Sequence, residues 1–340
     1  MNIETLRSTT RALVAPGKGI LAADESSGTI RKRFDSIGVE STEENRRAYR
    51  DMLLTTPGLA EHISGVILFD ETIRQSSLGG SPFAELLAAD EVIPGIKVDT
   101  GAKALAAFAG ETVTEGLDGL RERLSEYDEL GARFAKWRAT LFCGEGLPTD
   151  YALNANAHGM ARYAALCQEA GVVPIVEPEV LMDGTHTIQA CEDATGRTLR
   201  TLYAGLDDAR VELDGSLLKV NMVLSGKDCP TQAGPLEVAE ATVRCLAANV
   251  PTGVPGIVFL SGGQSDEDAT VHLNEMNRLG PHPWELSFSY GRALQAPSLK
   301  AWGGDPANVE TAQRALAHRA RMNGLARSGA YSADLETSAA

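Results

Sequence analysis

The chain has 340 residues, of which 43% are hydrophobic and 23% charged, enough for one large α/β domain or two ordinary ones with a full core. A formal net charge of −15 argues against nucleic acid or an anionic membrane as partner. No apolar run approaches the roughly 20 residues of a membrane span, and the start Met1-Asn2-Ile3-Glu4 lacks the basic-then-apolar pattern of a secretory signal.

The five cysteines (Cys143, Cys167, Cys191, Cys229 and Cys245) are odd in number and scattered, with no Cys-x-x-Cys pair. That usage suits reduced, buried thiols of a cytoplasmic protein better than disulfides or zinc ligands. In chain order, eight short apolar runs read as strands: 19–23, leading into Asp24, then 66–69, 95–98, 132–138, 173–176, 217–222, 257–260 and 285–290.

Helical patterns lie between them. Ser41-Thr42-Glu43-Glu44 has the form of a capping box, followed by an amphipathic run to about Thr56. Residues 154–169 are Ala-rich and stop before Gly171, and residues 236–249 and 266–279 are similar, the last with Ser265 as N-cap. Segments 99–131 and 179–215 exceed a minimal crossover and are expected to carry additional helices or loops.

Strands alternating with helices through a whole chain imply βαβ units and a parallel sheet. Eight such units predict an α/β single domain closed as a (β/α)8 TIM barrel over residues 1–327. An open doubly wound sheet would carry a Gly-x-Gly-x-x-Gly turn, and neither that nor a P-loop is present. From Ser328 the chain turns small and polar, so 328–340 is expected to be a flexible C-terminal tail.

In such barrels chemistry sits where the strands end at their C-terminal side. There the sequence places Asp24; Lys97 and Asp99; Lys136 and Arg138; Glu177 and Glu179; Lys219 and Asn221; Ser261-Gly262-Gly263; and Ser289, Gly291 and Arg292. The steps from 97 to 136, 177, 219 and 261 are 39, 41, 42 and 42 residues, so each unit returns the chain to the same rim. Polar residues two apart on one strand share a face, and inward lysines and carboxylates on adjacent strands serve a polar site, not packing. Lys97, Lys136, Arg138, Lys219 and Arg292, with Lys32 and Arg33 after the first strand, would hold a doubly charged anion. Bare backbone N–H groups at Ser261-Gly262-Gly263 and Gly291 suit phosphate, although one Ser-Gly-Gly by itself is more often just a turn.

Lys219 stands in the apolar run Leu217-Leu218-Lys219-Val220-Asn221-Met222. An isolated lysine there would more often reach solvent from a strand end. Burial and like-charged neighbours disfavour an ammonium, however, and a neutral amine is a nucleophile toward a carbonyl.

The chain resembles class I, Schiff-base-forming fructose-bisphosphate aldolases. The resemblance runs from Gly17-Lys18-Gly19-Ile20-Leu21-Ala22-Ala23-Asp24-Glu25-Ser26 through Ala132-Arg133-Phe134-Ala135-Lys136-Trp137-Arg138, Val176-Glu177-Pro178-Glu179, Phe259-Leu260-Ser261-Gly262-Gly263-Gln264-Ser265 and Phe288-Ser289-Tyr290-Gly291-Arg292 to Trp302-Gly303-Gly304. It implies a lyase of glycolysis and gluconeogenesis that cleaves fructose 1,6-bisphosphate reversibly to dihydroxyacetone phosphate and glyceraldehyde 3-phosphate. A cytoplasmic homotetramer with no cofactor and no metal is also implied. Lys219 would form the imine, Glu177 would be the acid/base for the carbinolamine, Glu179 would hold the lysine network, Asp24 would take the C4-hydroxyl proton, and Lys136 would help keep Lys219 neutral. Ser261, Gly262, Gly263, Gly291 and Arg292 would hold the ketose-end phosphate, and Ser289 would also belong to the substrate-binding residues. Lys97 and Arg33, with Ser26 and Thr29, would hold the other phosphate, and Arg138 would contact the substrate between them.

Val220 follows the catalytic lysine where many relatives have proline, and the chain does not end in the tyrosine of animal-type members, its last being Tyr331. Three alternatives compete. A transaldolase-type Schiff-base lyase would need only one phosphate cradle. A metal-dependent aldolase would need ligand spacing that His62, His158, His186, His272, His282 and His318 do not show. A non-catalytic binding barrel would have no use for buried lysines.

Overall fold

A computed structural model describes residues 2–337. Eight parallel strands close a barrel in sequence order: β1 (Gly19–Ala23), β2 (Ile63–Leu68), β3 (Ile93–Lys97), β4 (Phe134–Leu141), β5 (Val173–Val180), β6 (Leu217–Val220), β7 (Gly256–Phe259) and β8 (Glu285–Tyr290), with β8 pairing back to β1. Each predicted run falls on one of them, with ends moved by up to four residues.

Alternate residues point inward and form two levels. The lower level is apolar: Ile20 and Ala22, Ile67, Phe134, Val173 and Ile175, Leu217 and Val258 are all buried together. The floor is closed by the N-terminal helix Ile3–Leu13, which inserts Leu6 and Leu13, followed by Val14. The upper level continues the same inward rows with charge: Asp24 above Ala22, Lys136 above Phe134, Glu177 above Ile175, Lys219 above Leu217. Strand register sets these neighbours, pairing Lys97 with Lys136 and Arg138 with Glu177.

A ring of helices covers the outside and buries a second apolar layer that includes Phe34, Tyr49, Trp137, Tyr163 and Trp302. The helix Glu43–Leu54 is capped by Thr42, whose Oγ1 accepts from Asn45 N at 3.1 Å. The predicted box had Ser41 and Glu44 in those roles, so the cap lies one residue later. The helix Asp150–Glu169 starts four residues before the predicted run because Thr149 caps it, and the Ser265 cap of Asp266–Arg278 forms with Asp268 N at 3.0 Å.

The segment after β3 holds an antiparallel hairpin, Gly101–Ala104 with Thr112–Glu115, before the helix Leu120–Glu129. Strand pairing was not foreseen there. Its short, weakly apolar strands resemble loop composition, and Asp99 fixes the turn by accepting from Gly101 N at 3.1 Å and Arg138 N at 3.2 Å. At the other end, Glu336 accepts from Tyr331 Oη at 2.9 Å and Arg319 Nη1 at 2.5 Å, and lies 2.7 Å from His318 Nε2. Residues 338–340 of the expected tail lie outside the described residues. No helix among the described residues is long and apolar enough to cross a membrane.

The floor leaves no spare volume. A Cβ on Gly95 would fall inside the Phe134 ring, and one on Gly65 would lie 2.7 Å from Leu13 Cδ2. The Gly95→Ala variant is therefore expected to lose about 1–3 kcal/mol of stability in urea titration, and Gly95→Ala with Phe134→Leu to recover part of that loss.

Candidate active site

Above the floor, a cavity of about 1060 Å³ opens at the C-terminal ends of the strands. Nine cationic side chains and seven carboxylates line it. The wall is thus locally positive on a chain whose overall charge is strongly negative.

Four charges alternate in sign across the cavity floor, three of them buried and the fourth, Asp24, partly exposed. Lys136 Nζ is 2.7 Å from Asp24 Oδ2 and 3.1 Å from Glu177 Oε2, and Lys219 Nζ is 3.1 Å from Glu177 Oε1. The Lys136, Lys219 and Glu177 side chains are each at most 4% exposed. Burial alone would raise the carboxyl pKa values. For Asp24, Lys136 and Lys219 outweigh burial and hold it well below the usual carboxylate range; for Glu177, Lys136, Lys219 and Arg138 outweigh burial and lower the pKa. Burial would strip Lys136 of its proton, but Asp24 and Glu177 reverse that and push its pKa above the ordinary lysine value.

The Lys136–Lys219 relation is therefore not the direct like-charge contact expected from the sequence. The Glu177 carboxylate stands between the two lysine Nζ atoms, 3.1 Å from each. It gives Lys219 a proton acceptor within reach.

Around this row lie further pairs. Lys97 Nζ binds Asp99 Oδ1 at 2.5 Å and the Asp99 carbonyl at 2.8 Å. Arg138 Nε pairs with Glu179 Oε2, and Glu179 pulls the guanidinium across the mouth of the cavity. Ser26 Oγ and Thr29 Oγ1 are 3.2 Å apart at the start of the helix Ser27–Asp35.

On the β7–β8 side, Gly262 (φ +61°) and Gly263 (φ +93°) turn the loop through a conformation that side chains resist. Arg292 Nη2 lies 3.2 Å from where a Cβ on Gly263 would sit, and Arg33 Nη2 lies 3.6 Å from the same point on Gly291. Two bare glycines thus each have a guanidinium beside them. Ser289 Oγ is buried here with no hydrogen-bond partner, and neither Lys32 nor Arg292 is ion-paired among the described residues.

Of the residues singled out from sequence, Lys219, Glu177, Asp24, Lys136, Glu179, Arg33, Lys97, Arg138, Ser26, Thr29, Ser261, Gly262, Ser289, Gly291 and Arg292 all line the cavity, and Gly263 is next to them beside Arg292. Arg33 stands beside Gly291 and pairs with Glu25. Asn221 does not join Lys219. The strand ends at Val220, and the amide turns outward to donate to Thr195 Oγ1 at 3.1 Å while accepting from Val180 N at 2.9 Å. Tyr331 is outside the cavity lining.

Sequence reading passed over Glu25, Tyr49, Arg50 and Gln295, which form a buried cluster behind Arg33. Glu25 could have been found, as it neighbours Asp24 in the quoted block. Arg50 gave no signal, because an arginine in an amphipathic helix reads as surface. Among the described residues no group of three or more His, Cys, Asp or Glu side chains is placed to hold a metal ion.

Comparison with known proteins agrees with this geometry. A family model described as fructose-bisphosphate aldolase class-I matches residues 5–340. "Probable fructose-bisphosphate aldolase class 1" of Xanthomonas axonopodis pv. citri (strain 306) is 59% identical over 332 residues, 97% of this chain and 99% of that one. "Fructose-bisphosphate aldolase 1" of Toxoplasma gondii is 56% identical over 328 residues, 96% of this chain and 90% of that one. The solved fructose-bisphosphate aldolase of Plasmodium falciparum, crystallised with TRAP and a small-molecule inhibitor, superposes with a TM-score of 0.96 at 50% identity, covering 97% of this chain and 96% of that one. With a charged barrel rim of this design and matches that span nearly its whole length, the chain belongs to the class I fructose-bisphosphate aldolase family.

Proposed function

We propose that this chain cleaves fructose 1,6-bisphosphate reversibly through an imine on Lys219. The observation that carries the reading is the row Asp24, Lys136, Glu177, Lys219, in which an amine and its proton acceptor are 3.1 Å apart. Glu177 rests ionised, so it starts as a base and takes a proton from the Lys219 ammonium. The neutral amine adds to the C2 carbonyl and forms a carbinolamine. Glu177 returns the proton to the carbinolamine oxygen, which leaves as water, and an iminium remains.

The iminium is an electron sink. When the C3–C4 bond breaks, its electron pair flows into the iminium as an enamine, and the C4-hydroxyl proton passes to Asp24. Glyceraldehyde 3-phosphate departs. Protonation of the enamine at C3 and hydrolysis of the regenerated iminium release dihydroxyacetone phosphate and restore the lysine. Asp24 must be an anion to accept the proton, and Lys136 keeps it one.

Arg292 and Arg33, with Ser261, Gly262, Gly263, Ser289 and Gly291, would take the ketose-end phosphate. The two guanidiniums offer planar forks beside glycine backbone, and Ser289 brings an unused hydroxyl. Lys97, Ser26 and Thr29 would take the other phosphate, with Arg138 oriented by Glu179 between them. The same reading treats residues 1–327 as one catalytic unit, with 328–340 as a tail beyond it. It makes the protein a cytoplasmic, metal-independent homotetramer, in line with relatives from Arabidopsis thaliana and Pisum sativum named as cytosolic or cytoplasmic. Light scattering of the purified protein is expected to give four times the 36.0 kDa chain mass.

Borohydride added with bound substrate is expected to leave a covalent adduct on Lys219, mapped by peptide mass, and cleavage is expected to persist in EDTA. An adduct on Lys136 or Lys97, or none, would refute the assignment. Lys219→Met, of similar volume, is expected to fold and to lose cleavage.

Lys136→Met is expected to behave differently. It leaves Asp24 and the buried Glu177 with one cation fewer, at a cost of about 3–5 kcal/mol. Carboxyls with depressed pKa values stabilise the fold above their unfolded values of 3.8 and 4.5, and that stability is lost as pH falls through the still lower folded values. The variant is therefore expected to fall furthest short of the wild type near neutral pH, where its carboxylates lack a cation, and the difference is expected to shrink as pH falls below about 4. Chemical melts across pH 3–8 would show whether the two curves separate.

A further inference from the structure

We infer that Glu25 is a positioning residue for the proposed phosphate contact of Arg33, and that Arg50 and Gln295 exist to hold it there. The inference rests on the imine reading above and extends it to Glu25 in the cavity wall and to the side chains behind it. Glu25 is gripped from three directions. Arg33 Nη1 pairs with Oε1, Gln295 Nε2 donates to Oε1 at 2.9 Å, and Arg50 Nη2 binds Oε2 at 2.5 Å. Gln295, wholly buried, is itself fixed by donating to the β1 carbonyl of Ala22 at 2.6 Å and accepting from Tyr49 Oη at 3.0 Å. The carboxylate is thereby tied to strand β1 and to three helices at once, Ser27–Asp35, Glu43–Leu54 and Arg292–Trp302.

This fixes one edge of the Arg33 guanidinium and leaves Nη2 beside Gly291. Two guanidiniums on one carboxylate leave the cluster with one net positive charge, directed at the bare backbone after β8. The arrangement also solves a local problem. Asp24, the next residue along, is a second carboxylate that an untethered arginine would be drawn to, and Asp24 must stay open to substrate.

Stability alone does not explain the cluster. A buried ion pair adds little net stability over well-packed apolar residues, and Arg50 Nη1 is buried without a hydrogen-bond partner, which is unfavourable. Arg50 side-chain exposure is 3%, so solvent does not relieve it. A costly cation held in that position is accounted for by what it does to Glu25.

The test is the concentration of ketose that half-saturates borohydride trapping, measured for dihydroxyacetone phosphate and for dihydroxyacetone, which lacks the phosphate. Glu25→Gln is expected to raise the value for the phosphate ester about tenfold, the effect of one charge-assisted contact, and to leave dihydroxyacetone unmoved. In an Arg33→Met background, Glu25→Gln is expected to add less than about twofold, because the two residues act as one. Arg50→Lys, which keeps the charge and loses the fork, is expected to give an intermediate rise and serves if Glu25→Gln does not fold. An equal rise for both ketoses, or full additivity with Arg33→Met, would overturn the inference. Trapping that proceeds with unchanged constants in Glu25→Gln refutes the clamp and spares the imine; a wild-type protein that forms no adduct with either ketose removes both.

Discussion

A single buried lysine between two carboxylates holds the site together. Lys136 bridges Asp24 and Glu177, and Glu177 reaches on to Lys219. Each of these charges would be costly alone in the barrel interior. Together, each is the condition for its neighbours to stay charged. Their positions are consequently linked: the Lys219 amine is set by Glu177, Glu177 by Lys136, and Lys136 by Asp24 on the far side. For a covalent step whose rate depends on near-contact alignment, such a chain of constraints places the nucleophile without a separate device for it.

The row works because the barrel changes character at one level. Phe134 and Lys136, Ile175 and Glu177, and Leu217 and Lys219 are each two residues apart on one strand, so each pair shares the inward face. The apolar member locks register by packing against Leu6, Leu13 and Val14 of the floor. A slip of one residue would turn both members outward, exposing the floor and the charges together. Packing below thus enforces electrostatic order above.

This period-two pattern is why so much was legible in the sequence. Eight apolar runs, the return of charge about every 40 residues and the Ser-Gly-Gly turn placed both the barrel and its reacting rim, because they depend on local alternation alone. What stayed hidden depends on contacts between distant segments. Arg50 lies in a helix whose pattern marks it as surface, and only the fold reveals that it meets Glu25. Asn221 kept the right spacing from Lys219 but fell beyond the last strand residue, where alternation no longer governs direction. The hairpin after β3 was missed because short polar strands carry little apolar signal, and the order of charges across the row, with Glu177 between the lysines, could not be read from spacing at all.

The excess of acidic residues lies outside the cavity. Seven of the carboxylates line the cavity beside nine cations, and those described here serve as orienting partners: Asp99 for Lys97, Glu179 for Arg138, Glu25 for Arg33. A cavity lined by cations alone would bind phosphate, but its long side chains would be free to follow the ligand. Pairing each with a carboxylate lowers the net attraction and fixes direction instead. At physiological ionic strength the field of the remaining surface charge decays within about 8 Å, whereas the enclosed cavity is screened much less. The acidic exterior therefore does little to oppose an anion once it reaches the mouth. Selectivity is then left to the few cations, Arg292 and Lys32 among them, that no carboxylate neutralises.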